Sequence, residues 1–239
     1  MTTVVISQPM LFPWVGMFEQ ISLSDVYVHY DDVQFSKGSF SNRVQVKTAD
    51  GSKWLTVPLK DLHLGQTIDQ VKPQESEKWQ PRHLALLEQA YRSAPYRDTM
   101  LALVHETYAH ANGSLAELTM QGLDTVCRFF GLDRGRRFLR SSKMGISGES
   151  SNRVLDLVQA VSGDIYVTGH GARDYLDHEL FERAGVQVRY MDYRKAPYLQ
   201  LHGEFTPYVS ILDLIANAGA DGLRFIKSPS VHWKEFIGG

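Results

Sequence analysis

The stretch from Val4 to Arg43 constrains the fold of this chain more than any other. It begins with a short β-branched run at residues 4–6, which ends before Pro9 because proline cannot continue a central strand. An aromatic turn at residues 12–16 leads into a helical segment, and a second apolar run follows at residues 26–30. A strand, a turn, a helix and a second strand in this order predict a βαβ unit, and therefore a parallel sheet.

A second unit of the same kind lies near the end of the chain. Residues 164–168 are strand-like and lead into a glycine-flanked loop and a helix, after which a further strand covers residues 186–191. Because the two units repeat one order, we expect an α/β fold with a Rossmann-like, largely parallel sheet. Gln8, Asp32 and Gly169 should then lie beyond the same edge of that sheet, where open α/β sheets bind ligands.

The middle of the chain has a different organisation. Alternating residues on both sides of Asp50-Gly51 predict a β-hairpin over residues 43–59. Residues 114–130 carry an apolar stripe at helical spacing and begin with a capping box. We expect the hairpin and the helices of residues 43–140 to form an insertion or subdomain within a single α/β domain, residues 1–239.

Two groups in this region are predicted to be structural. Cys127 lies on the apolar stripe of the predicted helix, so we expect a buried core residue and not a nucleophile. The arginine-rich segment at residues 134–140 is predicted to be a solvated face. The serines, lysine and glycine of residues 141–145 have the residue types of an anion site at a helix start, without the spacing of a P-loop.

Composition excludes several classes of protein. Lysine and arginine number 25 against 27 aspartates and glutamates, which argues against a nucleic-acid-binding protein that works through a broad basic field. The one cysteine, Cys127, excludes an intramolecular disulfide. No apolar run approaches the roughly 20 residues that cross a bilayer, and the N-terminus lacks the features of a secretory signal. We therefore expect a soluble, cytoplasmic protein without a membrane span.

Polar and aromatic side chains are dense just beyond the predicted strand ends. Each one alone is explained by a turn or by core packing, but a folding unit does not need so many distinct polar groups there. The candidate catalytic residues are Asp32, His170 and Asp174, because carboxylates and imidazoles are the usual general bases. We expect Asp32 and Arg43 to share one site. The candidate ligand-binding residues are Gln8, Trp14, Gln34, Lys37, Asn42, Arg43, Trp54, Gly169, Arg173 and Gln200.

No metal site is predicted. The histidine pairs His105 and His110, and His170 and His178, lack a recognised ligand spacing such as HExxH.

The motifs of the first 43 residues resemble a known family. The patterns QP-x-x-FPW-x-G-x-F, D-V-x-V, DDVQF-x-K and NR together resemble the WbqC-like family of bacterial proteins, and the resemblance extends over residues 3–219. The family pattern leads us to expect an aromatic residue at position 17, and Met17 departs from it. The resemblance implies a setting in the biosynthesis of surface polysaccharides, such as lipopolysaccharide, or of natural products.

Two functions follow from this setting. The first is an enzyme that transfers an acyl or aminoacyl group to an amino sugar, free or nucleotide-linked, because such decorations need an amide-forming step. That step requires a general base near the amine and a donor for the developing oxyanion. The alternative is a non-catalytic accessory protein that binds a nucleotide sugar or a glycan. In both cases the partner is a small molecule or nucleotide sugar, and the oligomeric state is open.

The loop from Gly169 to Tyr175 resembles the G-x-K-D-Y loop of ATP-using amide ligases such as pantothenate synthetase. Those enzymes carry a two-histidine HxGH signature after their first strand, where this chain has residues 14–17, Trp-Val-Gly-Met. The cofactor is therefore left open, with ATP as the candidate that the loop suggests.

Overall fold

The computed structural model describes residues 1–75, 78–109 and 113–238. The strands in this part of the chain are β1 (Thr3–Ser7), β2 (Val26–His29), β3 (Arg43–Thr48), β4 (Gly51–Thr56), β5 (Leu59–Lys60), β6 (Lys72–Pro73), β7 (Arg137–Arg140), β8 (Ile165–Thr168), β9 (Gln187–Met191) and β10 (Ser230–His232). The α-helices are α1 (Val15–Leu23), α2 (Trp79–Ala90), α3 (Arg97–Ala109), α4 (Leu115–Phe130), α5 (Ser150–Ala160), α6 (His178–Arg183), α7 (Ile211–Ala218) and α8 (Trp233–Gly238).

A six-stranded sheet forms the centre of the fold, in the order β7-β2-β1-β8-β9-β10. The first five strands are parallel, and β10 is antiparallel to β9. From β1 the chain moves to β2 and β7 on one side, and then returns to β8 and β9 on the other. The predicted α/β architecture with a mostly parallel sheet is confirmed, and the order of strands reverses between β1 and β8.

Both faces of the sheet are buried. Alternate residues of a strand point to opposite faces, so Val4 joins Leu157 of α5 and Phe181 of α6 in one apolar cluster. Val5 and Tyr27 join residues of α1, α4 and α7 in a second cluster on the other face. This double covering explains why the central strands are apolar throughout and do not alternate.

The middle region adds a small hairpin and three helices. The predicted hairpin is confirmed, because β3 and β4 pair antiparallel from Arg43 opposite Thr56 to Thr48 opposite Gly51. Apolar residues of this hairpin and of α2, α3 and α4 belong to the same cluster as Val5 of the central sheet. The division at residues 43–140 stays a prediction, and the last four residues of that range form β7 within the central sheet.

The arginine-rich segment is only partly the solvated face that its composition predicts. Arg134 and Arg137 are exposed, but the segment also contains the edge strand β7, parallel to β2. The guanidinium of Arg136 donates to the carbonyls of Ile21 and Ser22 at 2.9 and 2.7 Å. These carbonyls lie in the last turn of α1, where a cation interacts favourably with the helix dipole.

Helix α4 has the ends that its sequence predicts. The Ser114 hydroxyl accepts from the Glu117 N–H at 3.2 Å, the Glu117 carboxylate accepts from the Ser114 N–H, and Gly131 ends the helix at a φ of +68°. Cys127 is fully buried in this helix, and burial raises the pKa of its thiol. A buried thiol with a raised pKa is a poor nucleophile. None of the helices described has the length and apolarity to cross a bilayer.

Candidate active site

A cleft of about 790 Å³ opens where β1 and β8 end. Ser7 and Gln8 line it from the end of β1, and Thr168 and Gly169 line it from the end of β8. Because the chain leaves these neighbouring strands in opposite directions, a crevice forms at their carboxyl ends, the usual ligand position in open α/β sheets. The volume lies within the range of small-molecule sites.

An aromatic wall forms one side of the cleft. Trp14 precedes the first residue of α1, and its ring centroid lies 4.8 Å from that of Tyr193 and 6.5 Å from that of Tyr208. Gly16 allows this arrangement, since a Cβ there would come within 2.3 Å of the Trp14 indole. Rings of this kind offer flat apolar surfaces to a sugar face or a nucleobase.

The imidazole of His170 is a side chain in the cleft that has the chemistry of a general base. It follows Gly169 at the end of β8, and its Nε2 lies 2.6 Å from the carbonyl oxygen of Met191. A carbonyl oxygen only accepts, so Nε2 of the neutral ring carries the proton and Nδ1 keeps its lone pair. Within the described residues no protein donor bonds to Nδ1, and His170 is exposed in the cleft wall.

At Gly169 the end of β8 lies close to the side chains of Gln20 and Tyr193. The Gln20 amide nitrogen donates to the Tyr193 hydroxyl beneath this glycine. A Cβ at Gly169 would lie 2.9 Å from the Tyr193 hydroxyl and 3.0 Å from the Gln20 nitrogen. Burial raises the pKa of Tyr193 to about 12, so its phenol keeps its proton at neutral pH. A side chain at residue 169 would therefore displace the floor of the cleft.

Lys195 gives the cleft a positive end. Its ammonium donates to the Tyr208 hydroxyl at 2.7 Å and lies 4.8 Å from the centre of the Tyr208 ring. Lys195 and Ser150, which also lines the cleft, both have positive φ, at +50° and +55°. Among the described lining residues, Lys195 is the only lysine or arginine, and none is an aspartate or glutamate.

The structure brings together four of the predicted site residues. The cleft is lined by Gln8, Trp14, Gly169 and His170. Arg173 and Asp174 follow His170 in the chain, but both are exposed outside the lining. The Arg173 guanidinium lies 5.8 Å from the Phe236 ring of α8.

Asp31 lies beyond β2 in a different environment. Its Oδ1 accepts from the Ser142 N–H at 3.0 Å and lies 3.1 Å from the Ser141 hydroxyl, whose one proton it shares with Asp32. Its Oδ2 accepts from Arg140 Nε at 3.0 Å and the Ser142 hydroxyl at 2.7 Å. Burial raises the pKa of Asp31, but the hydrogen bonds from Ser142 and Arg140 outweigh it and leave this pKa below its usual value. The carboxylate is therefore held ionised.

Asp32 is paired with Arg153, whereas the Arg43 guanidinium donates to the Gly38 carbonyl. A ligand site shared by Asp32 and Arg43 stays a prediction. The Asp32 carboxylate accepts from Arg153 Nη2 and from the Ser141 hydroxyl. The Arg153 guanidinium in turn lies 5.1 Å from the centre of the Tyr30 ring, which lines the cleft. We call this group the carboxylate clamp: Asp31, Asp32, Arg140, Ser141, Ser142 and Arg153.

Five further predicted residues lie on the loop before β3 or on the hairpin. The Arg43 guanidinium donates to the Gly38 carbonyl at 2.7 Å and lies 4.4 Å from the centre of the Trp54 ring. The Asn42 amide donates to the Val57 carbonyl at 3.0 Å. These contacts fasten the loop to the hairpin. The five residues are Gln34, Lys37, Asn42, Arg43 and Trp54, and the cleft lining contains none of them.

Gln200 lies outside the cleft lining and is bonded within the fold. It is buried, and its amide oxygen accepts from Lys47 Nζ at 3.1 Å and from the Thr206 N–H at 2.9 Å. Its amide nitrogen donates to the Tyr198 hydroxyl at 3.0 Å. Gln200 therefore ties the loop before α7 to the hairpin.

The cleft also contains residues that sequence reasoning missed. One had a detectable signal: Gln20 is a polar residue among the apolar, buried positions of α1. Tyr193, Lys195 and Tyr208 come from an irregular segment without periodicity, so only the folded chain shows their position. The missed lining residues that matter most are Gln20, Tyr30, Tyr193, Lys195 and Tyr208.

Metal ligands do not converge in the described part of the chain. No group of three or more histidine, cysteine, aspartate or glutamate side chains there could hold a metal ion. His110, one of the histidines considered from the sequence, lies outside the described residues.

Comparison with known proteins gives two matches. The model of the WbqC-like protein family matches residues 8–225. The uncharacterized protein Rv1507c of Mycobacterium tuberculosis strain H37Rv is 31% identical over 233 residues, which cover 95% of this chain and 98% of that protein. No solved structure matches the chain significantly.

Proposed function

Because the chain belongs to the WbqC-like protein family, we propose that it is an enzyme of surface-glycan or natural-product biosynthesis. Its proposed reaction transfers an acyl or aminoacyl group to the amine of an amino sugar, which forms an amide. The cleft between β1 and β8 is the proposed active site. The family supports the biosynthetic setting, and the cleft supports the chemistry.

The order of strands supports a Rossmann-like fold for this enzyme. Numbered in chain order, the central sheet has the order 3-2-1-4-5-6, which is the order of doubly wound nucleotide-binding folds. The sixth strand differs, since β10 is antiparallel. In such sheets a nucleotide or sugar nucleotide lies at the reversal of strand order, and the cleft occupies that position here.

The observation that carries the proposal is the hydrogen bond from His170 to the Met191 carbonyl. At 2.6 Å it fixes the ring and its tautomer, so that Nδ1 is the nitrogen able to take a proton. General bases need this combination of a fixed ring and a free lone pair within reach of substrate. We assign the role of general base to His170.

The reaction balances with this one base. The sugar amine attacks the carbonyl carbon of an activated acyl donor, and a C–N bond forms. His170 Nδ1 takes the proton that the nitrogen loses. The tetrahedral oxyanion then collapses, the bond to the leaving group breaks, and the leaving group receives the proton from His170. Donors for the oxyanion are available in the amides of Gln8 and Gln20, which line the cleft.

The aromatic wall and Lys195 are suited to the acceptor. A ring stacked on Trp14 or Tyr193 places a sugar or base, and the Lys195 ammonium pairs with phosphate as a point charge. This arrangement favours a nucleotide-linked amino sugar over a free one. We propose that Gln8, Trp14, Gly169 and Lys195 bind it.

Of the remaining catalytic candidates, Asp32 has a supporting role in this proposal and Asp174 has none. Asp32 acts through Arg153 to position Tyr30 in the cleft wall, and it is therefore a positioning residue. Asp174 is exposed outside the lining and needs no role in the proton transfer. ATP enters only if the donor is a free carboxylic acid, because amide formation from a free acid requires activation.

The experiment is a turnover assay with nucleotide-linked amino sugars as acceptors and acyl or aminoacyl thioesters as donors, with amide detected by mass spectrometry. His170→Gln keeps a donor for the Met191 carbonyl but has no base. Its turnover should fall by about 10²-fold or more, with acceptor affinity and melting temperature close to wild type.

Asp174→Asn is the matched control, because it alters an exposed polar side chain four residues further along the same loop. It should leave turnover unchanged. Wild-type turnover by His170→Gln would contradict the assignment of the base. Tight binding of the acceptor without turnover for any donor would instead identify a non-catalytic accessory protein.

A further inference from the structure

A second cavity of about 220 Å³ adjoins the cleft. The two share Met10, Trp14 and Tyr208 as a common wall. Neither His170 nor Lys195 of the cleft lines this second cavity. We call it the side pocket.

The side pocket is apolar almost throughout. Its other walls are the side chains of Pro13, Phe40, Val44 and Val209. The nearby backbone carbonyls already have donors, because Pro13 accepts from the Ile211 N–H at 2.9 Å, and Phe40 accepts from the Leu11 N–H at 3.1 Å. A ligand group in the pocket therefore finds hydrocarbon and ring surface, and no free hydrogen-bonding group from these carbonyls.

We propose that the side pocket binds the apolar part of the acyl donor, so that the enzyme transfers an alkanoyl or aryl acyl group and not an aminoacyl group. This inference rests on the proposed function. An aminoacyl donor carries an α-ammonium beside the carbonyl carbon that reacts. An ammonium that is withdrawn from water is stabilised by an anionic partner, and no carboxylate lines the cleft or the side pocket within the described residues.

The volume of the pocket sets the size of the group. A cavity of about 150 Å³ lined by apolar side chains holds a benzene ring. At about 220 Å³ the side pocket has room for one ring or a chain of about six carbons. Longer chains must pass out of its mouth into solvent.

The rim of the side pocket supports the same assignment. Phe40 is 52% exposed and Tyr208 is 60% exposed, although both are large aromatic residues. Trp54, itself 40% exposed, supports Phe40 from behind with ring centroids 6.0 Å apart. Neighbouring exposed rings around an apolar opening are typical of a ligand-binding groove, and an acyl chain would cover their inner faces.

The test measures affinity for N-acetylcysteamine thioesters of acetyl, butyryl, hexanoyl and octanoyl groups by titration calorimetry. The dissociation constant should fall about fourfold for each added methylene up to hexanoyl and then level off. The norleucyl thioester, which differs from hexanoyl by the α-ammonium, should bind at least about tenfold more weakly. A flat series, or equal affinity for hexanoyl and norleucyl, overturns the inference.

Two variants locate the effect. Phe40→Ala removes an exposed wall and should reduce the binding free energy gained for each methylene by about half. Val209→Phe fills the pocket and should abolish this gain. Leu64→Ala is the control, because Leu64 is 92% exposed and lies outside the pocket. If Phe40→Ala and Val209→Phe show the same dependence of affinity on chain length as wild type, the side pocket does not bind the acyl chain.

The outcomes separate this inference from the proposed function. A chain-length series that the variants flatten, without amide formation from any amino sugar, supports the side pocket and contradicts the transferase. Amide formation from acetyl and aminoacyl donors at equal rates, without dependence on chain length, supports the transferase and contradicts the side pocket.

Discussion

The cleft and the carboxylate clamp both lie beyond the carboxyl ends of strands in one parallel sheet, and both are rich in polar side chains. In the clamp the carboxylates are bonded within the protein: Asp31 accepts three hydrogen bonds from Arg140 and Ser142 and shares the Ser141 hydroxyl with Asp32. In the cleft, His170 makes one hydrogen bond through Nε2, and no protein donor among the described residues bonds to its Nδ1. Polar density therefore does not distinguish a site from a structural cluster. The two are distinguished by the number of hydrogen-bonding atoms that no protein group has yet bonded.

This difference predicts opposite responses to substitution. Removing a group from the clamp leaves its partners without a bond, so the free energy of unfolding should fall. Removing a group from the cleft leaves the fold intact, because water already solvates that group, so binding or turnover should fall. Four measurements, from the largest expected effect to the smallest, test whether the two regions separate in this way.

Asp31→Asn should have the largest effect. Whichever oxygen becomes the amide nitrogen, it faces a fixed donor, either the Ser142 N–H or Arg140 Nε. We expect the free energy of unfolding to fall by about 3 kcal/mol. Urea unfolding measures it, with Asp174→Asn as an exposed control that should stay within about 0.5 kcal/mol of wild type. A neutral result would show that the clamp does not hold the fold.

The same variant should change the pH dependence of stability. The pKa of Asp31 is lower in the folded protein than its usual value of about 4. Its stabilisation is therefore complete above that value and is lost as pH falls through the folded pKa. The wild type should lose stability on acidification below about pH 4. Asp31→Asn should remove the part of that loss due to this carboxylate.

Asp32→Asn should have the second largest effect. Its partner Arg153 has a side chain only 8% exposed, whereas the Asp32 side chain is 23% exposed and keeps some contact with water. We expect a loss of about 2 kcal/mol, less than for a fully buried pair. Turnover per folded molecule should fall only in proportion to any shift of Tyr30. A selective loss of about 10²-fold in turnover at unchanged stability would move the general base from the cleft to the clamp.

Lys195→Met should have the smallest effect and should act on binding. Loss of one charged contact to phosphate should lower the affinity for the nucleotide-linked acceptor by about tenfold, with the melting temperature unchanged. Lys60→Met is the control, because Lys60 is exposed on β5, outside the cleft lining. Binding by wild type should also weaken at high salt, and binding by the variant should depend less on salt. Equal losses from both variants would contradict a specific contact at Lys195.

Much of the fold could be predicted from the sequence because its signals are local. The apolar runs around residues 4–6, 26–28 and 165–167 predict the central strands, and the capping box at Ser114 predicts the start of α4. The edge strand β7 was not predicted, because its sequence, Arg-Phe-Leu-Arg, has charged residues at both ends and reads as a surface segment. Pairing with β2 stabilises it, and that contact is not visible in the local sequence.

The candidate site was harder to predict because its contacts are distant in sequence. Asp31 and Ser141 are 110 residues apart, so the sequence alone does not show that the neighbouring aspartates are already partnered. Tyr193 and Lys195 approach Trp14 from a segment without periodicity. The glycine-flanked His170 was identified because a loop at a strand end is a local feature with a known ligand position.

A crystal structure with a nucleoside-diphosphate-linked amino sugar, bound in the absence of donor, is the most direct test of the proposed active site. We expect the ligand in the cleft between β1 and β8. Its amine should lie about 3 Å from His170 Nδ1, and its diphosphate should lie beside Lys195. A ligand bound at Asp32 in the clamp, or against Trp54 on the hairpin, with the cleft holding only water, would contradict it.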